Sequence, residues 1–384
     1  MGNLGFAVTS PILPDLAEAF GVTRGAIGLV QAAVSVPGIV FSLIIGYLAD
    51  RFGRRHVVLT GLAIFTIFGV AGFFARSYWG LVGARLLQGV GTSGILGVGI
   101  VLIGDTFTGT ARTRAMGYNI TGITLMAMIG PILSGTLATG GTFRPFLIFL
   151  IGIPLFLWVS RMPGDVPKEA IAPPTQHFGN AFRSMRTDGT VVDFAGLLVI
   201  TLAGVFVLHG VGLTVTPIFL ESEFAVPVQT RGFIVAGFQV GIIFVAARIT
   251  TIRAKLGGAN TMTAAFALMS VGTAIGAAAA GEWGVFAGLL IAGVGFGLFV
   301  PVAQSFAALV GGDRFRGVSV LMWVAVLRVA QVVGPPSGSF LADGTDPRVA
   351  YWAAAIGMAV IAVAWRPVRR FVHPTPAAAA GEVG

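Results

Sequence analysis

Cysteine is absent from the 384 residues, which excludes disulfides and thiolate-bound metal. Charge is scarce as well. Asp, Glu, Lys and Arg make up 10% of the chain, against about 25% in an ordinary soluble domain. So few charges cannot cover the surface of a water-soluble particle of this length. Histidine occurs four times, at 56, 177, 209 and 373, too scattered to suggest a metal site. No Gly-x-x-x-x-Gly-Lys-Ser/Thr loop and no catalytic triad can be read, so ATP coupling and enzymatic chemistry find no support. Acidic side chains are missing from the middle of every long apolar run. The first such run passes into Pro11-Ile12-Leu13-Pro14 without a basic stretch before it or a small-residue cleavage site after it, unlike a cleavable signal.

What is present is apolar length. Hydrophobic residues make up 55% of the chain, and a bilayer-crossing helix needs about 20 of them in succession. Spans are expected near 1–14, 27–49, 56–75, 79–103, 116–139 and 145–161. Six more are expected near 194–219, 232–251, 260–280, 283–306, 318–341 and 349–365. The stretch 162–192 holds Pro163, Pro167, Pro173 and Pro174 with charges of both signs, and reads as a cytoplasmic linker. The expected division is thus a six-helix half at 1–161, the linker at 162–192, a second half at 193–367 and a tail at 368–384.

The formal charge of +9 does not indicate nucleic acid, because the basic residues sit in short loops between apolar runs. Of the 24 Lys and Arg, five (Arg24, Arg76, Arg144, Arg231, Arg348) fall in one set of loops and three (Arg85, Arg248, Arg328) in or beside spans. The other sixteen fall in the opposite loops, the linker and the tail. By the positive-inside rule both termini are expected in the cytoplasm.

The halves repeat at an offset of 204 residues. Phe20-Gly21-Val22 matches Phe224-Ala225-Val226, Gly53 matches Gly257, and Gly89-Val90-Gly91 matches Gly293-Val294-Gly295. Arg112 falls on Arg316, and Gly130-Pro131 on Gly334-Pro335. Parallel six-span repeats with a site between them are a transporter architecture. On the same register Met1 falls on Val205, although the seventh span begins near Asp193. The natural start is therefore expected upstream, or the chain truncated.

The segment Gly46-Tyr47-Leu48-Ala49-Asp50-Arg51-Phe52-Gly53-Arg54-Arg55 closely resembles the signature loop of the major facilitator superfamily. Leu81-Val82-Gly83-Ala84-Arg85-Leu86-Leu87-Gln88-Gly89 resembles its fourth-span motif, with an Arg inside the membrane. Asp105 followed by Arg112-Thr113-Arg114-Ala115-Met116-Gly117 is similar to the loop after that span. Gly130-Pro131-Ile132-Leu133-Ser134-Gly135 resembles the fifth-span kink of the drug:proton antiporters, with Ser134 in place of a glycine.

The resemblance implies an all-helical membrane fold of two six-helix halves related by a pseudo-two-fold axis, with the first span shortened. It further implies a conformational latch built from Gly46, Asp50, Arg51, Gly53, Arg54, Arg55, Asp105 and Arg112. Alternating access and proton-coupled efflux of small, lipophilic compounds across the inner membrane follow as the leading expectation. A sugar or metabolite carrier of the same fold, and a non-transporting sensor or scaffold, are the alternatives. Protons and the bilayer are the expected partners of a monomer, without cofactor or nucleic acid.

Arg85, His209 and Asp15 are the candidates for coupling, and His209 is the ordinarily titratable side chain well inside a span. Gln31, Gln239, Gln304, Arg328 and Gln331 are the candidate cavity residues. Arg328 and Gln331 stand three apart on one helix side and could bind an anionic group.

Overall fold

The structure is a computed structural model that describes residues 4–161, 191–246, 248–310 and 312–365. The expected linker and tail lie almost wholly outside these residues. Asp50 and Asp105 are described in their backbone alone.

Among the described residues there is no strand. With water excluded, a backbone in lipid must satisfy its own polar groups, and a long apolar run does so as a helix. The first pass joins α1 (Leu4–Thr9) through a 3₁₀ turn at Ser10–Ile12 to α2 (Leu13–Phe20). The second joins α3 (Arg24–Ala33) to α4 (Val36–Phe52). Then come α5 (Arg54–Ala71), α6 (Tyr78–Thr106) and α7 (Gly109–Ala138), and a 3₁₀ segment Arg144–Ile151 leading into α8 (Gly152–Ser160).

The second half opens with α9 (Val191–Phe206), a π-helical segment Val207–Val215 and α10 (Thr216–Phe224) as one pass. It continues with α11 (Val228–Ala246), α12 (Ile249–Ala277), α13 (Glu282–Val310), α14 (Gly312–Gly344) and α15 (Arg348–Ala364). That makes twelve helical passes among the described residues, and seven of these stretches are long and apolar enough to cross a bilayer by length and composition. Trp79, Phe244, Trp352 and Ile356 point outward from the bundle, as lipid-facing side chains do.

Several boundaries differ from the expected spans: the first pass runs to Phe20 rather than 14, α14 starts at Gly312 rather than 318, and the largest shifts are at α7 and α12. α7 begins at Gly109 rather than near 116, because the segment around Arg112 and Arg114 is already helical. α12 likewise takes in Arg253 and Lys255, where a loop was expected. Backbone hydrogen bonding continues the helix past the apolar run, so hydropathy places the lipid boundary and not the helix end.

The repeat is visible in the backbone. Gly53 (φ 85°, ψ 140°) separates α4 from α5, and Gly257 (φ 74°, ψ 159°) breaks α12 at the equivalent point. A side chain at either would be strained. Gly21 (φ 62°) and Ala225 (φ 48°) terminate α2 and α10 in the same left-handed conformation. The helix contacts repeat as well. A β-carbon on Gly91 would meet the carbonyl of Gly61, and one on Gly295 the carbonyl of Ala265, 204 residues further along in both partners. Such close helix approach needs small residues.

Each half has its own core. One cluster runs from Phe194 to Trp365 and takes in Phe6 as its sole member from the first half. A second is built from the first half and takes in Ile218 from the second, and a smaller first-half cluster gathers Ile45, Ala49, Val58 and Leu62. The halves meet where α3 packs on α14 and α7 on α11. These contacts are reciprocal across the axis. Gly28 faces the carbonyl of Pro335, and Gly232 faces the carbonyl of Pro131. Adding 204 to Gly28 gives Gly232, and subtracting it from Pro335 gives Pro131.

Candidate functional site

Polar side chains collect where the second, seventh and eleventh passes meet. Gln31 and Ser35 stand one turn apart on the second pass, so they share a face. Gln31 is fully buried, and its Nε2 donates to the Leu213 carbonyl in the π-helical segment at 3.3 Å. Ser10, in the 3₁₀ turn of the first pass, donates to the same carbonyl. Ser35 donates to Gln331 Oε1 at 3.3 Å, and Arg328 Nη1 donates to the same oxygen at 3.1 Å. Gly38 leaves room for the Arg328 stem: a β-carbon there would sit 3.5 Å from Arg328 Cδ and 3.7 Å from Ser93 Oγ. A cluster drawn from both halves therefore ends in a half-buried guanidinium.

Three of the five expected cavity residues, Gln31, Arg328 and Gln331, meet here. Gln239 is buried on α11, and Gln304 is exposed on α13. Among the described residues neither is hydrogen-bonded to the cluster. In a pattern of apolar runs, every glutamine inside a span looks alike. Only the rotation of each helix sorts them. Ser35 was not anticipated, since a lone serine in a span carries no signal.

His209 lies in the π-helical segment, buried, with Nδ1 3.4 Å from the Val205 carbonyl. Its ring stands edge-on to Phe6 at 4.8 Å between centroids. Its hydrogen-bond partner is thus a backbone carbonyl, not a neighbouring hydroxyl.

Arg85 does not snorkel to a surface. Its side chain is fully buried between α6 and α1, where it donates to Gln88 Oε1, to the Gly5 carbonyl at 2.6 Å and to Thr9 Oγ1 at 3.4 Å. The guanidinium also lies 5.7 Å from the Phe149 ring centroid. Arg85 ties the first pass to the fourth. Ser134 does similar work, donating to the Val8 carbonyl, while Gly130 packs against Ala7 and Gly135 against Val228. Pro131 is accommodated within α7. The serine that replaces a glycine of the motif is thereby an interhelical anchor.

At one face, two ion pairs cross between the halves. Arg231, at the start of α11, contacts Asp15 of α2 at 2.8 Å, with side-chain exposures of 4% and 30%. Arg24, at the start of α3, contacts Glu221 of α10 at 2.9 Å, with exposures of 42% and 40%. In both pairs an acid near the end of the first pass of one half meets an arginine in the first turn of the second pass of the other half. Arg24 and Arg231 were legible as loop residues and Asp15 as an acid near the end of a span. Their pairing was not, because it needs the two halves docked.

At the opposite end of the second pass, Arg51 lies over the Phe52 ring, and Arg55 donates to the Ser160 carbonyl. Arg54 is half-buried beside the Gly53 break, and Arg112 is exposed in the first turn of α7. The expected partners Asp50 and Asp105 fall outside the described side chains, as does Gly46. A mainly apolar pocket of about 280 Å³ opens nearby between α4, α5 and α6, with His56 and Thr60 among its lining residues.

The Major Facilitator Superfamily profile matches residues 1–254 and 198–383, two overlapping stretches that together cover nearly the whole chain. The chain belongs to the major facilitator superfamily. Superfamily relatives span its length. Tetracycline resistance protein, class B, of Escherichia coli is 25% identical over 93% of this chain and 89% of its own. The 3-(3-hydroxy-phenyl)propionate transporter of Escherichia coli K12 is 27% identical over 91% and 86%. The bacillibactin exporter of Bacillus subtilis is 32% identical over 38% of each chain. Among solved superfamily folds, the nucleoside transporter NupG superposes with a TM-score of 0.77 at 15% identity, covering 96% of this chain and 97% of that one. The D-xylose-proton symporter gives 0.73 at 17% identity, covering 97% and 96%. The protein is a multi-pass membrane transporter of small molecules and not an enzyme.

Proposed function

We propose that the protein exports small organic compounds in exchange for protons, by alternating access, as a monomer in the cytoplasmic membrane with both termini inside. The division into halves at 1–161 and 193–367 belongs to the same reading. The observation that carries it is the crossed pair of ion contacts, Asp15–Arg231 and Arg24–Glu221, which join the halves at one face. Rocking halves need contacts that break and re-form between two states. With the basic loops inside, this face is the outer one. Asp50, Asp105 and Arg112 form the corresponding latch at the inner face.

Asp15 is the coupling residue. Protonation neutralises it and removes the partner of a nearly buried guanidinium, so proton uptake favours opening of the outer face. Arg85, locked among neutral acceptors, has a structural role. The full-length relative named for tetracycline resistance supports export as the direction.

The reading is tested in proteoliposomes with an imposed pH gradient, an internal pH dye and a panel of organic cations, anions and sugars. A compound that dissipates the gradient with the wild-type protein but not with Asp15→Asn supports it. Tracer exchange without proton movement would leave a transporter but remove the coupling.

A further inference from the structure

The chemical class of the substrate follows from the charges inside the bundle. Arg85 and Arg328 both lie within spans, while the eleven acidic residues among the described ones all lie near the ends of helices or in the segments between them. A guanidinium stays protonated under all ordinary conditions. Arg85 is closed off, fully buried among the acceptors of Gln88, Gly5 and Thr9. Arg328 differs. It is half-buried, its hydrogen-bond partner is the neutral Gln331, and among the described residues no ion pair joins it to a carboxylate. A cation at this depth is costly unless it is paired or faces a polar cavity.

Resting on the transporter reading above, we infer that Arg328 is the substrate-anchoring residue and that the transported compound is a small organic anion, a carboxylate held by this guanidinium. A carboxylate can take two parallel N–H bonds from the fork of an arginine, supplying the charge that the bundle interior lacks.

A second, independent feature points to the rest of the ligand. Gln31 is fully buried, and its Oε1 has no hydrogen-bond donor. An orphaned buried acceptor costs free energy. It lies one turn from Ser35, whose hydroxyl is bound to the same glutamine as Arg328. Gln31 therefore accepts from a hydroxyl or N–H on the ligand body, at the end remote from the carboxylate. Together these groups specify a hydroxylated or amino-bearing organic acid over a cation.

The test uses three probes that separate charge from shape: 4-hydroxybenzoate, its uncharged amide 4-hydroxybenzamide, and tetraphenylphosphonium. Counterflow is measured in proteoliposomes with the intact chain. Wild-type protein is expected to exchange 4-hydroxybenzoate with saturation and to exchange the amide poorly. Arg328→Gln should raise the KM for the anion by about 30-fold or more, the effect of removing one partner of a desolvated charge contact. Arg328→Lys, which keeps the charge, should recover part of the affinity and serves as the folding control. Gln31→Leu should erase the preference for 4-hydroxybenzoate over benzoate, which lacks the hydroxyl and serves as a further probe.

The inference is overturned if the amide moves as well as the anion, or if Arg328→Gln leaves the KM for the anion unchanged. Saturable exchange of tetraphenylphosphonium alone would also overturn it, while the transporter reading stands. Failure of all three probes to move in any orientation of the gradient would count against both.

Discussion

Replacing Asp15 by Asn imitates protonation at the outer ion pair and exposes its energetics. Arg231 keeps only 4% of its side chain exposed, so without Asp15 it remains a buried cation in the closed state. Opening the outer face returns it to water. Breaking a fully buried pair costs about 3–5 kcal/mol. Asp15 is 30% exposed, which reduces the effect to about 2 kcal/mol, or roughly a 30-fold shift toward the outward-open state. Arg24 and Glu221 are both about two-fifths exposed, and a surface pair contributes about 0–1 kcal/mol. Glu221→Gln should therefore shift the balance by less than about fivefold.

The absence of cysteine makes the assay direct. Ser35→Cys introduces a unique thiol at a position only 1% exposed at the half–half contact. Its rate of modification by a membrane-impermeant maleimide added outside reports opening. Asp15→Asn should accelerate labelling by about 30-fold and Glu221→Gln much less. Adding Arg231→Gln to Asp15→Asn should reverse most of the acceleration, because the stranded charge has gone. An unchanged rate in Asp15→Asn, or a larger effect from Glu221→Gln, would refute the reasoning.

Three further outcomes are expected. Asp50→Asn should abolish most transport while leaving membrane insertion and the size-exclusion profile intact; near-normal vesicle flux would remove the inner latch. Gly28→Val and Gly232→Val should each lower the Tm by a similar amount, since overpacking costs about 1–3 kcal/mol and each new side chain would press on an equivalent proline carbonyl. Unequal losses would show that the two contacts are not equivalent in energy. His209→Gln should leave the pH dependence of exchange intact, because its ring is engaged by the Val205 carbonyl and Phe6. A flattened pH profile would make His209 the proton carrier in place of Asp15.

Much of the fold was legible because the bilayer imposes a simple constraint. Apolar length gave twelve passes in the right order, with ends that miss most where helix continues beyond the apolar run, as at the end of the first pass and the starts of α7, α12 and α14. The 204-residue register was legible too, since glycine is favoured where φ is positive and where helices press close. It reappears in the φ values of Gly53 and Gly257 and in the crossed contacts of Gly28 and Gly232. The site was less legible. Arg85 and Arg328 stand out equally as arginines in spans, yet one is a sealed tie between two helices and the other opens toward the half–half contact. Hydropathy and motif carry no information on helix rotation, which is what separates them.

The sequence by itself determined that this is a helical membrane protein in two repeated halves, of a transporter family, because hydropathy, loop charge and glycine placement are local and additive along the chain. Only the tertiary structure decided which charges meet. Asp15 lies 216 residues from Arg231, and Arg24 lies 197 from Glu221. Neither pair exists until the halves are docked. The same holds for the Ser35–Gln331–Arg328 chain, which depends on the facing of two helices far apart in sequence. Contacts between independently formed halves are set by shape and rotation, and no local pattern records them.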